Sequence, residues 1–441
     1  MTPELVERLG KASTLWVGDD ARVFIGRDTR ASGPELEQAF ARGVVAAGGH
    51  AVLGGVVPTP AVALLRLDLG VVISASHNPP EYNGVKFFDR DGQKLVDAQE
   101  EEIEALFDAP ERGGGSIDEV GIATDSYLEH VLERFRTDLS GLKIVVDSAN
   151  GAYAKLAPKA FEQLGAEVHA IGDDPDGTNI NVDSGATHLR ALQQTVTSRG
   201  ADLGVAFDGD GDRMLAVDAR GNSVDGDAIL AVLALHRRVD LVAVTVMTNL
   251  AFHELMAKHG IRVVTTDVGD RYVLEALRRE GGILGGEQSG HIIWLDGHVT
   301  GDGLVAALLL CDALEGRTLE EAVSVLRPMP QVKRNVTVRT RVIPPELRAE
   351  IDALGAGNGG RVEEYDWDGR VVWSFDYATR DVMQHHDIRW LPNGHVLMVA
   401  WERRSAEEAL AAGRAPETIP ANGAVWPDQI AEVDPATNQI V

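Results

Sequence analysis

Three short stretches carry residue types that do chemistry together. Ser74-Ala75-Ser76-His77-Asn78-Pro79 follows the apolar run Val71-Val72-Ile73 and sets a hydroxyl nucleophile beside an imidazole. Asp208-Gly209-Asp210-Gly211-Asp212-Arg213 offers three carboxylates, and Gly286-Glu287-Gln288-Ser289-Gly290-His291 offers an acceptor, a hydroxyl and a second imidazole. A serine, a cation cage and a ligand-holding loop in one chain imply phosphoryl transfer.

A serine hydroxyl is a poor nucleophile at neutral pH, so Ser76 needs a neighbouring base or a phosphoryl group already on its oxygen. No Gly-x-Ser-x-Gly elbow surrounds it. His77 is the next residue, and neighbours on an extended segment point to opposite sides, which makes it a poor triad partner. Phosphoserine is the better reading, against the plain alternative of a Ser-His-Asn turn that caps a helix.

Residues two apart on a regular strand lie about 6.6 Å apart along the chain, so Asp208, Asp210 and Asp212 converge on one ion only if the glycines bend the backbone. Carboxylate oxygens with no Cys or His beside them favour Mg2+ over Zn2+. A calcium EF-hand fails, because Arg213 falls where that loop needs glycine and Ala219 where it needs glutamate. Glu287, Ser289 and His291 alternate, so an extended loop would turn all three toward one ligand, the mixture that sugar hydroxyls require. By residue type alone, His291 is equally a structural histidine.

Those loops need a scaffold. At 441 residues the chain has room for three to four domains of about 100 to 150 residues each. Its 44% hydrophobic and 25% charged residues suit a soluble globular protein, and no apolar run of about 18 residues could span a bilayer. The N-terminus shows no secretory signal, so the cytoplasm is expected. A formal charge of −27 argues against nucleic acid or an anionic membrane as partner. A phosphorylated substrate must then be held by local cations, and Arg27, Arg30, Lys86, Arg213 and Arg271 stand in or beside the loops. The one cysteine, Cys311, sits in the run Leu308-Leu309-Leu310-Cys311 and reads as a buried structural thiol.

The pattern predicts a capped helix from Thr2, a strand at Val23-Phe24-Ile25, a helix from about Pro34 to Gly48-Gly49, and strands near Val52-Leu53 and at Val71 to Ile73. A second unit has a strand from Lys143 to Asp147, a helix near Ala154 to Leu164 and a strand from Leu203 to Phe207. A third has a strand from Ala243 to Val246, a helix after Asp270, and Ile283-Leu284 running into the Glu287 loop. Each polar loop leaves the carboxyl end of a strand, where open α/β sheets place ligands. The fold class is α/β: three tandem mixed α/β sheet domains around one cleft (1–130, 131–232 and 233–328), then an incomplete fourth domain (329–362) and a β-rich C-terminal segment (363–441). Alternation at Val332, Val336, Val338 and Val342 predicts strands in the fourth domain. Five of the seven tryptophans, Trp367, Trp373, Trp390, Trp401 and Trp426, follow residue 362, with a hairpin signal at Pro392-Asn393-Gly394.

In order and spacing the three motifs resemble those of the α-D-phosphohexomutase superfamily. Asp147-Ser148-Ala149-Asn150-Gly151-Ala152 and Thr266-Asp267-Val268-Gly269-Asp270-Arg271-Tyr272-Val273 look most like its phosphoglucosamine mutase branch, over about residues 1 to 362. The resemblance implies interconversion of glucosamine 6-phosphate and glucosamine 1-phosphate through phosphorylated Ser76 and a hexose bisphosphate that serves as activator and intermediate. It implies one Mg2+ per chain, held by Asp208, Asp210, Asp212 and an oxygen on Ser76. It further implies a catalytic set of Ser76, His77, Lys86 and His291, and substrate contacts from Arg27, Arg213, Arg271, Glu287, Ser289 and His291. The partner is then a small phosphosugar, with no nucleic acid and no membrane, and a homo-oligomer stays open.

Two stretches of the family pattern are missing. The family begins with a strand and a Phe-Gly-Thr-Asp-Gly-Ile-Arg-Gly loop, whereas this chain starts at what resembles the following helix, as if truncated. No Arg-Pro-Ser-Gly-Thr-Glu-Pro loop, which grips the non-reacting phosphate in the family, follows Gly359-Gly360-Arg361-Val362. Impaired activity is therefore expected. From Glu363 onward, Tyr365 to Trp373, His385-His386-Asp387-Ile388 and Leu391 to Leu397 resemble blades of arylsulfotransferase-like β-propellers, cut short at one or two blades. His385 and His386 are read as structural there, rather than as metal ligands or sulfuryl-transfer residues. The alternative activities are a phosphomannomutase or phosphoglucomutase, or an inactive chimeric sugar-phosphate binder.

Overall fold

A computed structural model describes residues 1–65, 67–331, 361–365, 371–376, 382–390, 395–402, 404–411, 424–425, 428–435, 437 and 439–440. The chain divides into two compact units, Met1–Gln331 and Val332–Val441.

The first unit holds three sheets in succession. The first contains α1 (Pro3–Val17), β1 (Arg22–Arg27), α2 (Gly33–Ala46), β2 (His50–Val56), α3 (Thr59–Leu64), β3 (Leu69–Ile73), β4 (Val85–Asp89), α4 (Asp97–Glu104) and β5 (Ser116–Glu119). Thr2 caps α1 by accepting the N–H of Leu5, and Pro3 and Pro34 sit in the first turns of α1 and α2, where a missing N–H costs nothing. The strand order is β4-β3-β1-β2-β5, parallel throughout except β4.

The second sheet follows α5 (Ala123–Arg134) and comprises β6 (Lys143–Asp147), α6 (Leu156–Gln163), β7 (Glu167–Ile171), α7 (Arg190–Arg199), β8 (Leu203–Phe207), β9 (Met214–Asp218) and β10 (Ser223–Val224), in the order β10-β9-β8-β6-β7. The third comprises α8 (Gly226–Arg237), β11 (Leu241–Thr245), α9 (Leu250–Lys258), β12 (Arg262–Thr266), α10 (Asp270–Glu280), β13 (Leu284–Gly286) and β14 (Ile292–Trp294), followed by α11 (Gly303–Leu314) and α12 (Leu319–Val323). Its order is β12-β11-β13-β14. The helix α5 runs across residue 130, and α8 across residue 232.

One device recurs in all three sheets. The strands β3, β8 and β13 run parallel to their inner neighbours, and each turns back into an antiparallel partner, β4, β9 or β14. Residues 74–84, 208–213 and 287–291 are the connections, so every chemistry-bearing loop is anchored at both ends on paired strands. The strands β3, β8 and β13 are buried at every residue, which is why β3 and β8 read as short, largely apolar runs, while β13 is the short Leu284-Gly285-Gly286. Val62 of α3, Tyr127 of α5, Phe207 of β8, Phe252 of α9 and Leu304 of α11 belong to one buried hydrophobic cluster that passes through all three sheets. Cys311 of α11 is buried, and burial, with Asp312 adding, pushes its thiol up to about 12. No helix among the described residues is long and apolar enough to cross a membrane.

The second unit is β-rich. The strands β15 (Arg361–Tyr365) and β16 (Val371–Asp376) pair antiparallel, with Trp373 and Phe375 stacked at 6.3 Å. The strands β17 (Val382–Trp390), β18 (Val396–Glu402), β21 (Asp428–Asp434) and β22 (Gln439–Ile440) form one antiparallel sheet, and β19 (Arg404–Ser405) pairs with β20 (Ala424–Val425). The alternation at Val332, Val336, Val338 and Val342, the turn Pro392-Asn393-Gly394, and Trp367 and Trp426 lie outside the described residues. The strands flanking that turn do pair, Trp390 opposite Val396.

Asp147, at the carboxyl end of β6, is fully buried and accepts the N–H groups of Ala149 (3.0 Å) and Gly185 (2.8 Å). Burial outweighs these two bonds and pushes its carboxyl up to about 6, whereas an unfolded aspartate titrates near ~3.9. Because the folded pKa is the higher one, the folded state holds the extra proton. Its contribution to stability is full below about pH 4 and is lost as pH rises through 6, by up to about 3 kcal/mol. The stability of wild type relative to Asp147→Asn, from urea unfolding, is expected to fall by that order between pH 4 and 7. A difference that does not change with pH would refute the assignment.

Candidate active site

Position 76 is shaped by residues far from it in sequence. Arg30, buried in full, donates to Asp28 Oδ2 (2.9 Å) and to the carbonyls of Ser76 (3.0 Å), Asn78 (2.8 Å) and Pro79. Asn181 Nδ2 donates to two of the same carbonyls, those of Ser76 (2.8 Å) and Asn78 (3.1 Å). Ser74 N–H meets the Gly84 carbonyl at 3.0 Å and closes the base of the loop. The Ser74 hydroxyl donates to Asp28 Oδ2 (2.6 Å) and accepts the N–H of Ser76 (2.8 Å). Held this way, Ser76 takes a left-handed backbone, φ 51°, and its Oγ donates to Asp208 Oδ2 at 2.6 Å. Arg30 thus spends its donors on the loop itself, which corrects its reading as a local cation for the substrate. His77 is exposed as a residue, and partial burial, with the charge of Arg213 beside it, lowers its pKa.

The aspartate loop converges. Gly211 has φ +80° and its N–H returns to the Asp208 carbonyl at 3.1 Å, closing the bend that a side chain at this position would strain. A β-carbon at Gly209 would stand 2.7 Å from the Ser76 carbonyl oxygen, so the two loops touch backbone to backbone. Oxygens of Asp208, Asp210 and Asp212 all lie within 4.8 Å of one another, and the three residues are buried. Asp210 Oδ1 and Asp212 Oδ1 are buried without a hydrogen-bond partner among the described residues. Orphaned acceptors on converging carboxylates fit a hard divalent cation.

Charge balance explains the protonation pattern. Lys86 Nζ, from β4, donates to Asp210 Oδ2 (2.6 Å) and Asp212 Oδ2 (2.8 Å). Burial alone would lower the lysine pKa, but the two carboxylates outweigh it and hold it above its ordinary value. Burial, with Asp212 and Asp210 beside it, pushes Asp208 well up. Burial would also raise Asp212, yet Lys86 and His291 hold it well down. Thr59, at the start of α3, gives its N–H to the Asp210 carbonyl (2.9 Å) and its hydroxyl to Asp210 Oδ2. Nothing local in the sequence marks Thr59; only the approach of α3 to the second sheet does.

The Glu287 loop is a tight hairpin rather than an extended segment. Gly290 N–H bonds the Glu287 carbonyl (3.0 Å), Glu287 N–H bonds the His291 carbonyl (2.9 Å), and β13 and β14 pair on either side. Glu287 is buried and accepts the N–H of Gly269 on Oε1 (3.1 Å), whereas Ser289 sits exposed on the turn. The His291 ring is buried, its Nδ1 3.6 Å from Asp212 Oδ1 and its Nε2 3.3 Å from Asp270 Oδ2. Lys94 pairs with Asp270 from the first sheet. Burial would raise Asp270, but His291 and Lys94 hold it well below the usual carboxylate range. Asp270, quoted above within the Thr266 to Val273 stretch but given no role there, belongs to this cluster, and so does Lys94, which no motif singles out. The same hairpin meets the aspartate loop, Gly290 carbonyl to Met214 N–H at 2.9 Å.

Of the three arginines expected to face the substrate, only Arg213 lies in the cluster. Its N–H donates to Asp208 Oδ1 (3.0 Å), its Nε is 3.9 Å from Asp212 Oδ1, and the surrounding carboxylates hold its pKa up against burial. Arg27 donates to Glu37 Oε2 (3.2 Å) and to the Asp28 carbonyl (3.3 Å). Arg271 pairs with Asp97 and, at 3.7 Å, with Glu100.

This geometry has counterparts. Family models described as phosphoglucomutase/phosphomannomutase, alpha/beta/alpha domains I, II and III match residues 1–113, 125–221 and 225–329. None of them reaches past residue 329, so the likeness of residues 363–441 to propeller blades finds no support there. A phosphoglucosamine mutase of Moorella thermoacetica is 46% identical over 82% of this chain and 87% of its own. One of Clostridium acetobutylicum is 46% identical over 77% and 81%. A crystal structure of a phosphoglucomutase/phosphomannomutase family protein from Burkholderia thailandensis superposes with a TM-score of 0.71 at 28% identity, covering 88% of this chain and 87% of that one. With three consecutive domain matches and curated relatives 46% identical over most of both chains, the chain belongs to the phosphoglucomutase/phosphomannomutase family and is a phosphohexomutase, an intramolecular phosphotransferase.

Proposed function

We propose that the chain interconverts glucosamine 6-phosphate and glucosamine 1-phosphate through phosphoserine at Ser76 and a hexose bisphosphate. The observation that carries the chemistry is the bond from Ser76 Oγ to Asp208 inside the carboxylate cage, with Lys86 on its other side. The choice of an amino sugar rests on the relatives, which are phosphoglucosamine mutases at 43–47% identity.

In this reading the phosphoryl group leaves Ser76 Oγ as a sugar hydroxyl oxygen bonds to phosphorus, and the hydroxyl proton passes to a base. The bisphosphate then presents its other phosphate, which returns to Ser76 Oγ and releases the isomeric monophosphate. Asp208, Asp210, Asp212 and a phosphoserine oxygen would hold Mg2+, which when bound draws off charge that builds on the transferred group. Lys86 and Arg213 add fixed positive charge where negative charge gathers. Glu287 and Ser289 receive sugar hydroxyls. His291, between Asp212 and Asp270, is set to hold or pass a proton at Nδ1 or Nε2, while His77, at the loop surface, is the second imidazole in reach. Arg27 and Arg271 remain the outer cations of the reading, each shared with a carboxylate. Without an Arg-Pro-Ser-Gly-Thr-Glu-Pro loop, the non-reacting phosphate is held by fewer charge-assisted bonds, each worth about 1.5 to 3 kcal/mol, and KM is expected to be high.

Intact-mass spectrometry after incubation with glucose 1,6-bisphosphate is expected to show one added phosphoryl group on wild type and none on Ser76→Ala. An unmodified wild type would replace this reading with a sugar-phosphate binder. Turnover of glucosamine 6-phosphate is expected to exceed that of the mannose and glucose 6-phosphates by at least about tenfold, and equal rates would remove the amino-sugar assignment. The left-handed backbone at Ser76 costs a residue with a β-carbon about 1 to 2 kcal/mol. Ser76→Gly should therefore be more stable than Ser76→Ala by up to about 1 kcal/mol, read from Tm; the reverse order would show that the loop carries no such strain.

A further inference from the structure

Behind the cation loop, away from Ser76, lies a buried polar cluster that the reaction leaves unused. Tyr127 Oη and Tyr153 Oη are 2.6 Å apart and donate to the two oxygens of one carboxylate, Asp302 Oδ2 (2.7 Å) and Oδ1 (2.9 Å). His298 Nε2 stands 3.0 Å from Asp302 Oδ2. The two tyrosines are fully buried and Asp302 is 1% exposed. The three come from α5, from the segment between β6 and α6, and from the residue before α11.

Both arms of this cluster end on Gly211, the glycine between Asp210 and Asp212. Asp302 caps α11 by accepting the N–H of Val305 (3.0 Å), and the first residue of that helix, Gly303, gives its N–H to the Gly211 carbonyl (3.0 Å). On the other side the Tyr153 ring lies where a β-carbon at Gly211 would be, its Cδ2 2.6 Å from that point. One carboxylate thus fixes the carbonyl and the Cα face of the residue whose left-handed bend brings the three aspartates together.

We propose that Tyr153, Tyr127 and Asp302 are positioning residues for the cation loop, a buried clamp that sets the angle between Asp210 and Asp212 and with it the affinity for a divalent cation. The proposal rests on reading Asp208, Asp210 and Asp212 as a cation site. Tyr153→Phe keeps the ring on Gly211 and deletes only the hydroxyl that ties it to Asp302. Groups that support metal ligands typically change affinity by about 10- to 100-fold, and the clamp, which acts on Asp210 and Asp212 through the Gly211 backbone, is placed at the lower end of that range.

The test is calorimetric titration of the full chain with Mn2+, with no substrate present. Tyr153→Phe is expected to raise the Kd by about tenfold or more while circular dichroism stays that of wild type. Phe161→Leu, a truncation of the same hydrophobic cluster on α6, serves as the control for general loosening and is expected to leave the Kd unchanged. If Tyr153→Phe does not fold, Tyr127→Phe carries the same expectation. Wild-type affinity in the tyrosine variant, or an equal loss in Phe161→Leu, overturns the clamp alone. A wild type that binds no Mn2+ overturns the cation site and the clamp with it.

Discussion

Three carboxylates within 4.8 Å of one another, all buried, are the condition that the rest of the first unit has to satisfy. Like charges so placed repel, and burial penalises each further. The structure answers with fixed positive charge from two directions, Lys86 from the first sheet bonding two of them and Arg213 standing beside two, and a His291 ring nitrogen approaches Asp212 from the third sheet. The result is uneven. Asp208 is pushed toward its neutral form and Asp212 is kept charged, so carboxylates of one type in one loop differ in basicity because their partners differ.

The same requirement explains why three domains are needed. The serine, the carboxylate cage and the buried glutamate come from three different sheets, each from the turn of a strand pair. The antiparallel partner matters as much as the parallel strand before it. Lys86 reaches the cage because β4 runs back alongside β3, and His291 because β14 runs back alongside β13.

Much of this was legible in the sequence, for a physical reason. A fully buried parallel strand must be a short continuous apolar run, and a ligand loop must follow its carboxyl end, so Val71-Val72-Ile73 before Ser76 and Leu203 to Phe207 before Asp208 announce both fold and site. The Glu287 loop was harder, because period-two alternation and a hairpin both bring residues to one side. Glu287 and His291 meet across a turn rather than along a strand, which leaves Ser289 at the tip. Thr59, Lys94, Tyr153 and Asp302 were not legible at all, and Asp270 stood in a quoted motif without its role being visible. Their partners lie far along the chain, and no local pattern distinguishes a threonine that starts α3 from one that also holds Asp210. Arg30 shows the opposite error: its position beside the loop suggested a ligand contact, but its donors close on backbone carbonyls that only the folded loop gathers.

The site loops are bonded to one another as well as to their own strands, Thr59 to Asp210, Gly303 to Gly211 and Met214 to Gly290. Surface loops ordinarily open locally at little free-energy cost, independently of the core. Here no one loop can swing away without breaking bonds that belong to a neighbouring domain, so the catalytic face shares the cooperativity of the interior. Its amide protons should be among the slow ones to exchange, because opening any one of these loops means breaking bonds to a neighbouring domain.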